Sequence, residues 1–170
     1  MQYWDNVLYP AFRATINGTY YGYISQDALD EECYYLACRA ISTFKFPKIS
    51  LDYETFYAIR LEDNVLEEVN IEDYPNAVPH GAFKEDINYN EKEVIIAWMK
   101  VYWIENLLSN ADNFEDIYTD NNIKTFSKAN LIDKNTKLLK EARKTAQDAE
   151  SRYGRVNNLR RSVLGEINNE

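Results

Sequence analysis

The sequence predicts a mainly α-helical fold with a long C-terminal helix and a small β-hairpin. Apolar residues recur at helical spacing in three segments, the last of them rich in Lys and Arg, and one stretch between the first two partly alternates. The chain has 170 residues, the size of one domain. Its 14 Tyr, 7 Phe and 3 Trp argue against disorder.

Composition narrows the class of protein. The longest apolar run covers residues 94–99, far short of the roughly 20 residues that a spanning helix needs, so we expect no contact with a membrane. The first residues lack the basic start and apolar core of a signal peptide. With two cysteines, the chain fits a reducing compartment better than a disulfide framework.

Charge is divided unevenly along the chain. Residues 1–123 hold 8 Lys and Arg against 22 Asp and Glu, a net charge of −14. Residues 124–170 hold 11 against 6, a net charge of +5. Such a division suits head-to-tail assembly of copies, or docking of the basic segment on another acidic partner or on nucleic acid. A solvated helix rich in Lys and Arg is the plainer interpretation.

The N-terminal half begins with about 24 tyrosine-rich residues, predicted to be irregular with a short strand pair. Ser25 or Asp27 then caps a helix that ends before Pro47. One face of this helix is apolar and is expected to be buried: Leu29, Cys33, Leu36, Ala37, Ala40, Ile41 and Phe44.

The next stretch predicts a β-hairpin. Residues 55–61 and 65–71 are its strands and residues 62–64 its loop, although a short helix also fits. The segment from Pro75 to Phe83, with two prolines and Gly81, is predicted to be a loop.

Two helices complete the chain. Asn90 with Glu93 is a capping pattern for a helix to Ser109 that is apolar almost all round, as in a core or at a subunit contact. The longest helix is predicted over about residues 133–165, within a single domain of residues 1–165 and before a polar tail of residues 166–170. Its narrow stripe includes three alanines and suits close helix packing: Leu138, Ala142, Ala146, Ala149, Tyr153 and Val156.

No catalytic, cofactor-binding or metal site is predicted. His80 is the single histidine and is interpreted as a loop residue, and Cys33 and Cys38 as core residues. The acidic pairs at residues 67–68 and 72–73 lack calcium-loop spacing and are interpreted as a solvated surface. The chain also lacks a phosphate-binding glycine-rich loop. We therefore expect a protein that is not an enzyme.

Four pieces of sequence follow one another in a specific order and spacing. They are residues 40–48, residues 83–87, residues 95–103, and residues 126–130 before the long helix that ends near Tyr153-Gly154-Arg155. Over about residues 25–160 this series resembles the head–tail connector (adaptor, or neck ring) proteins of tailed bacteriophages, most closely those of crAss-like phages. The stretch of about residues 52–82 is longer than the resemblance implies and is interpreted as a β-hairpin insertion.

The resemblance implies a mostly helical, connector-type subunit that is a structural virion protein without a cofactor. Such subunits form a homo-oligomeric ring, commonly a dodecamer, that joins the portal protein to the next neck or tail protein. Genome DNA passes through the ring without specific binding. The implied location is the neck or tail of the virion, after assembly in the cytoplasm of the host bacterium.

In that family the C-terminal region often docks on the portal. The resemblance therefore places an interface, with the portal or a neighbouring subunit, on a segment that mixes basic and apolar residues: Tyr153, Arg155, Leu159, Arg160, Arg161, Val163 and Leu164. Three alternatives stay open. In the first, the segment is merely a solvated helix end. In the second, the chain is another neck ring, stopper or assembly module. In the third, its basic helix binds nucleic acid, with an affinity that falls steeply with salt.

Overall fold

The structure is a computed structural model that describes residues 1–16, 24–61, 65–109 and 128–167, with side chains in the last range from residue 132 to 155. The elements in chain order are β1 (Gln2–Tyr3), α1 (Trp4–Val7), α2 (Tyr9–Arg13), α3 (Gln26–Thr43), β2 (Tyr53–Arg60), β3 (Leu66–Val69), β4 (Val78–Phe83), α4 (Tyr89–Ser109) and α5 (Lys128–Ile167).

The described strands form one antiparallel sheet in the order β1-β4-β2-β3. The predicted hairpin is confirmed, since β2 and β3 pair with Tyr57 opposite Val69 and Arg60 opposite Leu66. Its predicted loop, residues 62–64, lies outside the described residues. The predicted fold class, a mainly α connector-type subunit with a single hairpin insertion, is wrong, because β1 and β4 extend that hairpin into a four-stranded sheet and make the fold mixed α and β.

Strand β4 lies where the sequence predicted a loop. Contacts with other parts of the chain explain why turn-forming residues occur in this strand. Proline has no backbone N–H to donate to a neighbouring strand. Strand β1 pairs only with Ala82 and Phe83 of β4, so no described strand lies beside Pro79 on that side. Gly81 is required by a close approach, because a Cβ there would lie 2.3 Å from Cε3 of Trp4. The indole of Trp4 therefore packs directly on bare strand backbone.

The N-terminal residues 1–16 are ordered differently from the prediction. They form the short strand β1 and the helices α1 and α2 rather than an irregular segment with a strand pair, and residues 17–23 lie outside the described residues. Pro10 lies in the first turn of α2, where a backbone N–H has no acceptor within the helix, so the proline costs no helical hydrogen bond. The apolar side chains of this segment are buried in the main core: Trp4, Leu8, Tyr9, Phe12 and Ile16.

The helix ends follow local capping chemistry. The Ser25 hydroxyl accepts a hydrogen bond from the Ala28 N–H at 3.2 Å, which confirms the predicted start of α3. The cap of α4 lies two residues before the predicted one, because Asn88 Oδ1 accepts from the Asn90 N–H at 2.9 Å.

Helix α4 lies between α3 and α5, which explains its nearly continuous apolar surface. Val94, Ile95 and Met99 join the main core, whereas Val101 and Ile104 pack with alanines of α5. Much of its apolar surface is thus buried within one chain. Within the described residues, no helix combines the length and apolar character needed to cross a membrane.

Candidate functional site

Helices α4 and α5 run antiparallel, and ion pairs mark their register. Arg143 donates to Glu105 at 2.7 Å, and Arg152, nine residues later on α5, donates to Glu93 at 2.8 Å. Glu105 also accepts from Arg39 of α3 at 3.1 Å, so one carboxylate connects three helices. These pairs are partly exposed and contribute about 1 kcal/mol or less each.

The alanines of the stripe predicted on α5 are confirmed as its packing face, and the side chain of Val156, the last residue of the predicted stripe, lies outside the described residues. Ala142, Ala146 and Ala149 are buried, the first two with Val101 and Ile104 of α4. Small side chains let the two helix backbones approach closely. Leu138 departs from the prediction because it is exposed, and its neighbour Leu139 packs against the cluster instead.

Tyr153 ends this face and joins α5 to two other parts of the chain. Its hydroxyl donates to Oε1 of buried Glu91 at 2.7 Å and accepts from the backbone N–H of Lys48, also at 2.7 Å. The ring meets Phe44 edge to face at 5.1 Å between centroids. One turn earlier, Glu150 Oε1 accepts from the Lys45 N–H at 2.7 Å. Helix α5 thus fixes the backbone of the segment that follows α3.

Phe46 lies in the middle of this fixed segment. Its φ is 62°, the left-handed region that a bulky non-glycine residue rarely adopts, and it is the one such residue among those described. Its side chain is 89% exposed. An exposed aromatic ring on a strained backbone costs stability and buries little apolar surface among the described residues, which is typical of a residue retained for binding.

The predicted interface residues differ in their exposure to solvent and in whether their side chains are described. Tyr153 is buried in the chain's own core, and Arg155 is exposed. The remaining five lie on the described backbone of α5, but their side chains lie outside the described residues: Leu159, Arg160, Arg161, Val163 and Leu164. The interface on this segment stays a prediction, with Tyr153 already engaged inside the subunit.

Helix α5 extends beyond the N-terminal end of α4. Tyr153 contacts Glu91 two residues after α4 begins at Tyr89, and α5 continues in the same direction to Ile167. At 1.5 Å per residue, the part after Tyr153 is about 20 Å long, most of it past the end of α4. This helical extension starts beside the segment that carries Phe46.

A second candidate site lies beneath the sheet and was missed by sequence reasoning. His80, interpreted as a loop residue, is 1% exposed on β4, so that interpretation is wrong. Its Nδ1 lies 2.9 Å from Oδ1 of Asp5 on α1, and an ionised carboxylate only accepts, so Nδ1 carries the hydrogen. The imidazole stacks on Phe56 at 5.6 Å between ring centroids. A buried ring held this way has a fixed orientation.

Asp30 of α3 is the second buried charge of this site, at 2% exposure. Arg13 and Arg60 each donate to one of its two oxygens, and Gln26 donates to Oδ1 at 2.9 Å. Arg60 also donates to Asp27 at 3.1 Å. Two guanidinium groups thus compensate the burial of this carboxylate and fix its orientation.

Asp30 lines an open-sided cavity of about 480 Å³, and His80 contacts Asp5 and Phe56 of its wall. The walls come from β1, α1, α2, α3 and the hairpin and are mostly polar: Tyr3, Asp5, Asn6, Tyr9, Arg13, Gln26, Asp30, Phe56, Arg60, Leu66 and Glu68. Tyr9 is 1% exposed, and its hydroxyl has no hydrogen-bond partner in the part of the chain that the structure describes. Burial, followed by the charge of Asp5, raises the pKa of this hydroxyl above its usual value.

One donor atom each from Asp5, Asp30 and His80 lies within 4.8 Å of the other two. No spacing in the sequence joins these residues, because their elements meet only in the folded sheet. The single histidine was the one available signal. The prediction of no metal site therefore missed a set of residues whose atoms could hold an ion.

The remaining residues weighed as ligands are placed as predicted or nearly so. Cys33 is buried and Cys38 half-buried, and both thiols are free. Burial raises the pKa of the Cys33 thiol to about 12, against the opposing effect of the Arg13 charge. The acidic pairs at residues 67–68 and 72–73 are exposed, which confirms that they form a solvated surface.

Comparison with known proteins identifies no relative: no protein-family model, curated protein or solved structure matches this chain.

Proposed function

We propose that this chain is a structural subunit of the neck of a tailed bacteriophage, where it forms a ring that joins the portal to the tail around the DNA channel. The observation that carries the proposal is the extension of α5 beyond α4, at the end of a basic helix attached to an acidic body. A projecting basic segment on one copy and an acidic surface on another are complementary, as a ring of identical subunits requires.

Phe46 supports the same proposal. Its exposed ring stands beside the point where the extension leaves the body, on a segment that α5 holds in place through Glu150 and Tyr153. An exposed aromatic anchor next to basic residues is typical of the centre of a protein–protein contact. The docking surface that we propose therefore excludes Tyr153 and comprises Phe46, Arg155 and the other predicted interface residues: Leu159, Arg160, Arg161, Val163 and Leu164.

The first experiment asks whether the protein is a component of the particle. Mass spectrometry of purified virions, with cryo-electron microscopy of the portal vertex, is expected to find the chain as a ring of about a dozen copies. Absence from virions, together with abundance in infected cells, would overturn the proposal. In that case the basic helix as a nucleic-acid-binding element becomes the better hypothesis.

A charge-reversal pair locates the contact. The double variant Arg160→Glu/Arg161→Glu is expected to abolish incorporation into virions, whereas Lys137→Glu/Lys140→Glu, the same charge change on the exposed middle of α5, is expected to leave it intact. Equal loss in both variants, with duplex DNA binding that falls steeply with salt, would favour nucleic-acid binding along the whole helix.

A further inference from the structure

We infer that Asp5, Asp30 and His80 form a binding site for a divalent transition-metal cation that fastens the N-terminal helices to the sheet. The three residues come from α1, α3 and β4, and their donor atoms lie within 4.8 Å of one another. In a tetrahedral site with bonds of about 2.1 Å the donors are about 3.4 Å apart, so an adjustment of about 1.5 Å or less brings all three into contact.

The hydrogen bond between Asp5 and His80 gives the position of the cation. Asp5 Oδ1 and His80 Nδ1 are 2.9 Å apart, with one hydrogen between them. A cation takes the place of that hydrogen when the neutral imidazole carries its hydrogen on Nε2 instead, so no net charge is created on the ring. Asp30 keeps its two arginine partners, because Oδ1 accepts from Arg13 and Gln26 while Oδ2, which accepts from Arg60, has a second lone pair for a metal ion.

A second observation points to a ligand at the same place. Tyr9 is buried, lines the cavity beside Asp5 and Asp30, and its hydroxyl has no hydrogen-bond partner among the described residues. A buried hydroxyl without a hydrogen-bond partner is unfavourable, and a water molecule bound to the cation would supply a partner. The second oxygen of Asp5, Oδ2, also lacks a hydrogen-bond partner within the described ranges.

The charge around the cavity matches a divalent ion. With His80 uncharged, four carboxylates and two guanidinium groups give a net charge of −2 among residues that line the cavity or pair with its lining: Asp5, Asp27, Asp30, Glu68, Arg13 and Arg60. A mixed set of one imidazole nitrogen and two carboxylate oxygens favours Zn²⁺ or Mn²⁺ over Mg²⁺ and Ca²⁺, which prefer oxygen donors alone.

The single histidine makes the test direct. Full-length protein stripped of metal with a chelator is titrated with Zn²⁺ while the imidazole signals are followed by nuclear magnetic resonance. We expect the signals of His80 to shift with a stoichiometry of one ion per chain and the melting temperature to rise. Mg²⁺ and Ca²⁺ are expected to cause neither change. Unchanged imidazole signals, or stabilisation by inorganic phosphate in place of Zn²⁺, would overturn the inference.

A variant pair then identifies the carboxylate. Asp5→Asn keeps the shape of the side chain and is expected to weaken Zn²⁺ binding at least tenfold in calorimetry. Asp73→Asn removes an equal charge from the exposed acidic pair and is expected to change nothing. Equal affinity in Asp5→Asn and wild type would exclude the site. The inference does not depend on the proposed neck function, because metal binding and virion incorporation are measured separately.

Discussion

Two regions of the molecule, the α4–α5 contact and the surroundings of the β-sheet, bury their side chains by different means. Along α5, alanines one turn apart meet a single neighbouring helix, and the charged residues stand at the exposed rim. Around the sheet, a tryptophan lies on bare backbone at Gly81, and the buried carboxylate of Asp30 is paired with the partly exposed guanidinium groups of Arg13 and Arg60. The first contact repeats one local pattern, whereas the second depends on unique pairings between distant residues. We expect the second to tolerate far less change.

The largest effect is expected from Gly81→Ala. The added methyl group would lie 2.3 Å from the Trp4 ring, which is buried and cannot move aside, so we expect a loss of at least about 3 kcal/mol in the free energy of unfolding by urea. The same substitution in a Trp4→Leu background is expected to cost much less. A loss below about 1 kcal/mol in the wild-type background would contradict the close approach.

Alkaline pH tests the same region without mutation. The folded pKa of Cys33 is raised to about 12 and that of Tyr9 lies above its usual value, mainly because both are buried. Above the unfolded pKa the unfolded state releases these protons and the folded state keeps them, so stability is complete below about pH 9 and falls as pH rises toward 12. We expect a loss of about 1 kcal/mol per pH unit for each group.

Urea unfolding at a series of pH values measures this loss. Cys33→Ala is the matched variant, and its free energy of unfolding is expected to fall less steeply with pH than that of wild type. An equal slope in both proteins would show that the thiol keeps an ordinary pKa in the folded state.

Tyr153→Phe tests the junction between the two regions. The substitution keeps the ring against Phe44 but leaves Glu91 Oε1 and the Lys48 N–H without their hydroxyl partner. Because Glu91 is buried, we expect a loss of about 2 kcal/mol in the free energy of unfolding. The control is Tyr35→Phe, an exposed tyrosine of α3, with an expected change below about 0.5 kcal/mol. Equal effects of the two substitutions would contradict a stabilising role for the hydrogen bonds of the Tyr153 hydroxyl.

The smallest effect is expected from Gly154→Ala, and it has the opposite sign to that at Gly81. No described residue offers an atom within 4 Å of a Cβ at Gly154, which is exposed on α5, so we expect the methyl group to meet solvent. Alanine favours a helix over glycine by about 1 kcal/mol, and we expect the melting temperature to rise accordingly. A decrease would mean that this face of the helix is covered in solution, for example by a second copy.

The same contrast explains what the sequence could predict. The helices α3, α4 and α5 and the β2–β3 hairpin follow from spacing and capping within short windows. Strand β4 could not be recognised, because Pro79 and Gly81 are turn-forming residues whose place in a strand depends on the edge position of one and on Trp4 packing against the other. The site beneath the sheet was hidden for the same reason, since 75 residues separate Asp5 from His80.

The hydrogen bonds that join residues 45 and 48 to Glu150 and Tyr153 span 105 positions each, which has a consequence for synthesis on the ribosome. Helix α4 leaves the exit tunnel well before the alanine face of α5 that covers it. During that interval Val101 and Ile104 are exposed on an otherwise collapsed chain, a state that favours aggregation. We expect nascent chains halted before residue 142 to bind chaperones and to be degraded faster than chains released after residue 155.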